Sequence, residues 1–136
     1  MTRILLADDH LGVRRALRRI LESETGWEIC AEAADGEDAV ELADQHRPDV
    51  AILDLIMPRL DGLGAMRRIH AILPDCQIAI VTMHATEALI REAIAAGATV
   101  CLSKTDAEQH LVPAVRALIE KRPYFPPAPP QDFAAG

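Results

Sequence analysis

Apolar residues along this chain fall into two alternating patterns: short continuous runs, and stretches with a period near 3.6. Ile4-Leu5-Leu6-Ala7, Val50-Ala51-Ile52-Leu53, Ile78-Ala79-Ile80-Val81 and Val100-Cys101-Leu102 are runs of strand length. Continuous apolar character over such a length fits strands buried on both faces of a parallel sheet. Trp27, Ile29, Ala31 and Ala33 instead alternate with Glu28, Cys30 and Glu32, the pattern of a half-exposed edge strand. Helical spacing fills the intervals. Val13, Ala16, Leu17, Ile20 and Leu21 predict a first helix with Arg14, Arg15, Arg18 and Arg19 on its other side. Ala39, Val40 and Ala43 predict a second, closed by Arg47-Pro48, and Ala65, Met66, Ile69 and Ile72 a third, ended by Pro74. Ala88, Leu89, Ala93 and Ile94 give a fourth that stops at Gly97. Leu111, Val115, Leu118 and Ile119 give a fifth, in which Pro113 is expected to bend or delay the first turn. Strands alternating with helices predict βαβ units around a parallel sheet.

Reactive side chains stand where the apolar runs end. Asp8 and Asp9 follow the first, Asp54 the second, Thr82 the third and, after Ser103, Lys104 the last. The carboxyl ends of parallel strands meet at one edge, so these residues are expected to share one crevice. Three carboxylates, a hydroxyl and an ammonium suit a magnesium ion and a phosphoryl group, because hard oxygens hold the metal while Lys and Thr bind phosphate oxygens. Asp54 carries the most information, since it interrupts an apolar run where a charge is costly unless paired or bound to metal. Two adjacent acids such as Asp8-Asp9 also occur as a plain solvated turn, and Asp61-Gly62 reads as the turn into the third helix. His10 and His84 border the crevice, either tuning it or forming a hydrogen-bonded wall.

The 136 residues fit one domain plus a tail. Five of the nine prolines lie between Pro123 and Pro130, so the domain is expected to span 1–121, followed by a Pro-rich linker or disordered tail over 122–136. A net charge of −7 argues against direct nucleic-acid binding by this piece. No run is long enough to span a bilayer, which with the absence of a leader points to a soluble, cytoplasmic protein. Cys30, Cys76 and Cys101 lack metal-ligand spacing and read as buried reduced thiols.

The segments Ala7-Asp8-Asp9-His10, Asp54-Leu55-Ile56-Met57-Pro58-Arg59-Leu60-Asp61-Gly62, Thr82-Met83-His84, and Gly97-Ala98 through Leu102-Ser103-Lys104 occur in the order and spacing of one family. Residues 3 to 121 resemble a bacterial two-component response-regulator receiver domain. The opening Ala-Asp-Asp-His with Val13-Arg14 is most similar to the NarL/FixJ-like subfamily, which carries a LuxR-type helix-turn-helix DNA-binding domain. The resemblance implies an α/β fold, a (βα)₅ flavodoxin-like (CheY-like) doubly wound sheet with strand order 2-1-3-4-5. It implies that Asp54 is the phosphoacceptor for a sensor histidine kinase and that Mg²⁺ is held by Asp8, Asp9, Asp54 and the backbone carbonyl of Ile56. Lys104 and Thr82 would bind the phosphoryl oxygens. Ile56 and His84 would flank the path of a hydrolytic water. Cys101 stands where most relatives carry an aromatic that turns inward during switching. The chain would be a signalling switch that catalyses only its own phosphorylation and dephosphorylation, with a phosphorylation-dependent homodimer and an output domain reading DNA. Helix one, with its arginines, would be either solvated or a kinase contact. A receiver acting by constitutive contact is the rival that Cys101 keeps open. A phosphatase of the haloacid dehalogenase class would need Asp-x-Asp after the first strand, which Asp8-Asp9-His10 does not supply.

Overall fold

In the first strand, β1 (Thr2–Ala7), successive side chains point to opposite sides, and both sides are buried. Ile4 and Leu6 join one apolar cluster, Leu5 and Ala7 another. A strand buried this way needs helices above and below it, and the computed structural model, which describes residues 1–83 and 86–124, supplies them. The elements are α1 (Leu11–Glu22), β2 (Trp27–Ala33), α2 (Gly36–His46), β3 (Val50–Leu53), α3 (Gly62–Ile72), β4 (Gln77–Thr82), α4 (Glu87–Ala95), β5 (Val100–Ser103) and α5 (Ala107–Ile119). All strand pairs are parallel, in the order β2-β1-β3-β4-β5. This is the expected doubly wound arrangement, with α1 and α5 on one face and α2, α3 and α4 on the other. Among the described residues no helix is long and apolar enough to cross a membrane.

β2 is the edge strand, but its faces do not obey simple alternation. Ile29 pairs with Ile4, whereas Ala31 pairs with Leu5, leaving Cys30 unopposed in a bulge. The extra residue reverses the facing of the rest of the strand. Trp27 and Ile29 pack on the α1/α5 side, while Ala31 and Ala33 pack on the α2/α3 side. A one-residue slip exchanges faces, so the even spacing of these four positions conceals a change of side. Cys76 and Cys101 are buried as expected and Cys30 only partly; all three are free thiols. Burial pushes the Cys76 thiol up to about 12 and Cys101 to about 11, which keeps both protonated.

The helices are anchored unequally. Helix α5 buries Ala107, Leu111, Ala114, Val115, Ala117 and Leu118, whereas α4 buries only Ala93 and leaves Ile94 half exposed. A helix with so little buried surface sits at the low-stability end of a fold. Pro113 does not delay α5, as its position suggested. A 3₁₀ turn at Lys104–Asp106 leads directly into the helix, which runs unbroken through the exposed Pro113.

After α5 the chain reverses at Lys121. Lys121 adopts a left-handed conformation (φ 57°), its amide donates to Leu118 O at 3.1 Å, and the Arg122 amide donates to Ala117 O at 2.8 Å. This is a Schellman reversal, made here without glycine. It turns the chain back along α5, where Tyr124 packs on the α1/α5 core and its hydroxyl lies 2.7 Å from His110 Nδ1. The part of the expected linker over 125–136 lies outside the described residues.

Replacing Pro113 by alanine restores a helical amide at an exposed site. Pro113→Ala is expected to raise unfolding free energy by about 1–2 kcal/mol, the helix-interior cost of proline less its chain-entropy advantage. Urea denaturation checks this, and an unchanged or lowered midpoint would contradict it.

Candidate functional site

The carboxyl edge of the sheet gathers the predicted residues because parallel pairing brings the strand ends level. Ala7 pairs with Leu53, and Leu53 with Ile80, so Asp8 and Asp54 begin side by side where the strands stop. The Asp54 amide donates to Ala7 O at 3.1 Å, and the Asp8 amide to Ala33 O at 3.0 Å. Thr82, the last residue of β4, is fully buried beside Ser103. Lys104 opens the turn after β5 and folds its side chain inward, only 7% exposed.

Lys104 makes the central contact. Its Nζ lies 2.7 Å from Asp8 Oδ2 and donates to Asp54 Oδ2 at 2.9 Å. Burial opposes its charge, yet the carboxylates of Asp8 and Asp54 outweigh that and hold the ammonium pKa above its ordinary value. The approach to Asp8 Oδ2 is close but is not a directed hydrogen bond, so this buried oxygen lacks a hydrogen-bond partner. The other Asp8 oxygen, Oδ1, accepts the His10 amide at 2.8 Å. Asp9 is more open, with His10 Nδ1 3.1 Å from its Oδ1.

Two carboxylates against one ammonium, with Asp9 next along the chain, leave excess negative charge at a partly dry edge, which a divalent cation would offset. Asp8, Asp9 and His10 offer ligand atoms that lie within 4.8 Å of one another. The carboxylate oxygens, including Asp8 Oδ2 with its ion pair to Lys104 but no directed hydrogen bond, fit a hard ion such as Mg²⁺; the imidazole is the softer donor. Asp54 stands outside that trio, its Oδ2 engaged by Lys104, while the Ile56 amide approaches its Oδ1 at 3.5 Å. The Ile56 side chain is 56% exposed at the rim. Cys101, one strand residue before Leu102, is buried in the α2/α3/α4-side core. His84 lies outside the described residues.

Three supports were not legible as chemistry in the sequence. Gly62 does start α3, with Asp61 as its cap accepting from Gly64 N at 2.8 Å. It also lies against the phosphoacceptor candidate: a Cβ there would stand 2.1 Å from the Asp54 carbonyl oxygen. Gly36 likewise lets α2 press on the loop before α3, since its Cβ would meet Leu60 O at 1.8 Å. On α1, Arg14 is not merely solvated: it donates to Asp8 O at 2.7 Å and to Glu32 Oε1 at 2.9 Å. Arg18 also bonds Glu32, whereas Arg15 is exposed.

Known proteins share this chain's sequence pattern and fold. The family profile described as "Response regulator receiver domain" matches residues 4–116. The chain is 39% identical over 115 residues to the uncharacterized transcriptional regulatory protein YxjL of Bacillus subtilis, covering 85% of this chain and 53% of that protein. It is 38% identical over 125 residues to the response regulator UvrY of Escherichia coli K12, covering 92% and 57%. It thus spans about half the length of these curated relatives. Among solved structures, a LuxR-family two-component response regulator from Aurantimonas sp. SI85-9A1 superposes with a TM-score of 0.86 at 35% identity, covering 99% of this chain and 94% of that one. The REC domain of AraT, a response regulator from Geobacillus stearothermophilus, gives 0.80 at 36% identity, covering 88% and 94%.

Removing the ammonium leaves two buried carboxylates facing each other. Lys104→Met is expected to cost about 3 kcal/mol at neutral pH. Because the folded pKa of Lys104 is raised above 10.5, its contribution is complete below that pH and fades as pH rises through the folded value. Urea unfolding of both proteins from pH 7 into the alkaline range tests this. No deficit at pH 7, or one that widens at alkaline pH, would refute it.

Proposed function

The chain belongs to the response-regulator receiver family, and we propose that Asp54 is its phosphoacceptor, with Asp8, Asp9 and Lys104 as the machinery around it. The observation that carries this reading is the Lys104 ammonium set between Asp8 and Asp54 at 2.7 and 2.9 Å, on the sheet edge. An Asp54 carboxylate oxygen attacks the phosphorus of a phosphohistidine on a sensor histidine kinase. The new P–O bond forms as the P–N bond breaks, and the leaving imidazole takes up a proton. Asp8, Asp9, Asp54 and the Ile56 carbonyl would hold Mg²⁺, which would supply charge neutralisation for the incoming phosphoryl group. Lys104 binds one phosphoryl oxygen as a point charge, and the Thr82 hydroxyl binds another.

New bonds to Thr82 at the end of β4 are passed on to α4, which buries Ala93 fully and packs Leu89 and Ile90 only partly against the core. Cys101 offers less differential packing between the two states than an aromatic would, so the coupling is weaker than in relatives that carry one. The response reaches the α4, β5 and α5 surface, where the half-exposed Ile94 favours a phosphorylation-dependent homodimer. The output is transcriptional, through a DNA-binding domain joined by the segment after the receiver, as the relatives' greater length supports. The protein acts in the cytoplasm and catalyses only its own phosphorylation and dephosphorylation.

Incubation with acetyl phosphate and Mg²⁺ should add the mass of one phosphoryl group, and Asp54→Ala should abolish the gain. Intact-mass spectrometry reads the result; undiminished labelling of Asp54→Ala, or labelling equal in EDTA, would overturn the assignment and favour the constitutive-contact reading. Ile56, exposed at the rim, cannot hydrogen-bond a hydrolytic water, so Ile56→Asn should speed loss of the phosphoryl group about tenfold, roughly 1.4 kcal/mol off the barrier. A time course after donor removal checks this, and equal or slower decay would contradict it.

A further inference from the structure

Helix α1 begins without the usual device for holding a helix N-terminus. Its cap residue, His10, makes no side-chain cap hydrogen bond, and the first turn contains no acid. The segment Asp8-Asp9-His10 that enters it is nevertheless the one that carries the candidate metal-binding carboxylates. Something else must fix it. Asp8 is tied at its amide to Ala33 O and at its Oδ1 to the His10 amide. Its carbonyl is held from within α1 itself by Arg14, whose Nη1 donates at 2.7 Å while its Nε donates to Glu32 Oε1 at 2.9 Å.

A planar guanidinium bonded in two directions has little freedom to swing, and here one direction is backbone of the loop and the other is the edge strand β2. Glu32 is held in turn by Arg18, which also bonds Glu22 at 2.9 Å. The carboxylates of Glu32 and Glu22 offset the charges of Arg14 and Arg18. Arg14 can therefore stand close behind a cation-binding loop without its charge competing with the bound ion. Resting on the reading of the site above, we infer that Arg14 is a positioning residue for Mg²⁺: it clamps the Asp8 carbonyl against β2 and so sets the direction of the Asp8 and Asp9 carboxylates.

Isothermal titration of the whole chain with MgCl₂, without phosphodonor, tests this. Arg14→Met should weaken Mg²⁺ binding about tenfold, Arg14→Lys should fall between it and wild type, and Arg18→Met, which loses Glu32 but never touched Asp8, should stay within twofold. In the metal-free protein, hydrogen exchange at the His10 amide should quicken in Arg14→Met while the core amides of Ile52 and Ile80 keep their protection, a pattern that general destabilisation would not give. Should Arg14→Met fail to fold, Glu32→Gln loosens the same clamp from its other end and should weaken Mg²⁺ binding in the same direction by a smaller factor. Unchanged affinity in the folded Arg14 variant, or an equal loss in Arg18→Met, overturns the inference alone. A wild-type protein that binds no Mg²⁺ overturns the reading of the site and this inference with it.

Discussion

The arrangement depends on one ammonium group held between two carboxylates that the sheet forces together. Parallel pairing sets the ends of β1 and β3 level, so Asp8 and Asp54 lie side by side with little water to separate their charges. Lys104 relieves that repulsion from β5, two strands away from β3, and in doing so ties three strand ends into one ionic unit. The same group that makes the resting edge tolerable is the cation that an incoming phosphoryl group would meet. A charge placed at the fully buried core positions of these strands, such as Leu5, Ile52 or Ile80, would have no such partner.

Around this unit the fold works through backbone contacts. Gly62 brings α3 against the Asp54 carbonyl, Gly36 brings α2 against Leu60, and Arg14 grips the Asp8 carbonyl. Gly62 and Arg14 thus fix the backbone that carries Asp54 and Asp8, while Gly36 seats the loop before α3. α4 is the contrast: it is capped by Thr86, whose hydroxyl accepts from Leu89 N at 3.2 Å, but it buries only Ala93. A rigid set of acids beside a loosely seated helix is the mechanical combination that a switch needs.

The strands and the crevice were readable because both arise from local pattern. Continuous apolar runs around Leu5, Ile52 and Ile80 mark buried strands, and a charge such as Asp54 at the end of one needs a partner. Three features escaped that logic. The Cys30 bulge adds a residue without disturbing the alternation of Trp27, Ile29, Ala31 and Ala33, so period alone cannot reveal the exchange of faces. Gly62 reads as a turn residue because sequence carries no trace of how near another backbone passes. Arg14 sits on a helix face that looks solvated until the edge strand brings Glu32 beneath it. Each depends on a neighbour distant in sequence, which tertiary packing alone supplies.

The Lys104 ammonium is held in its charged form by the Asp8 and Asp54 carboxylates, and NMR titration of that ammonium in the wild-type protein and in Asp54→Asn tests this most directly. The expected wild-type pKa lies above 10.5, with a clear fall once Asp54 is neutralised, because burial is then opposed by Asp8 alone. A Lys104 pKa at the ordinary lysine value in the wild type, or one unmoved by the substitution, would contradict it.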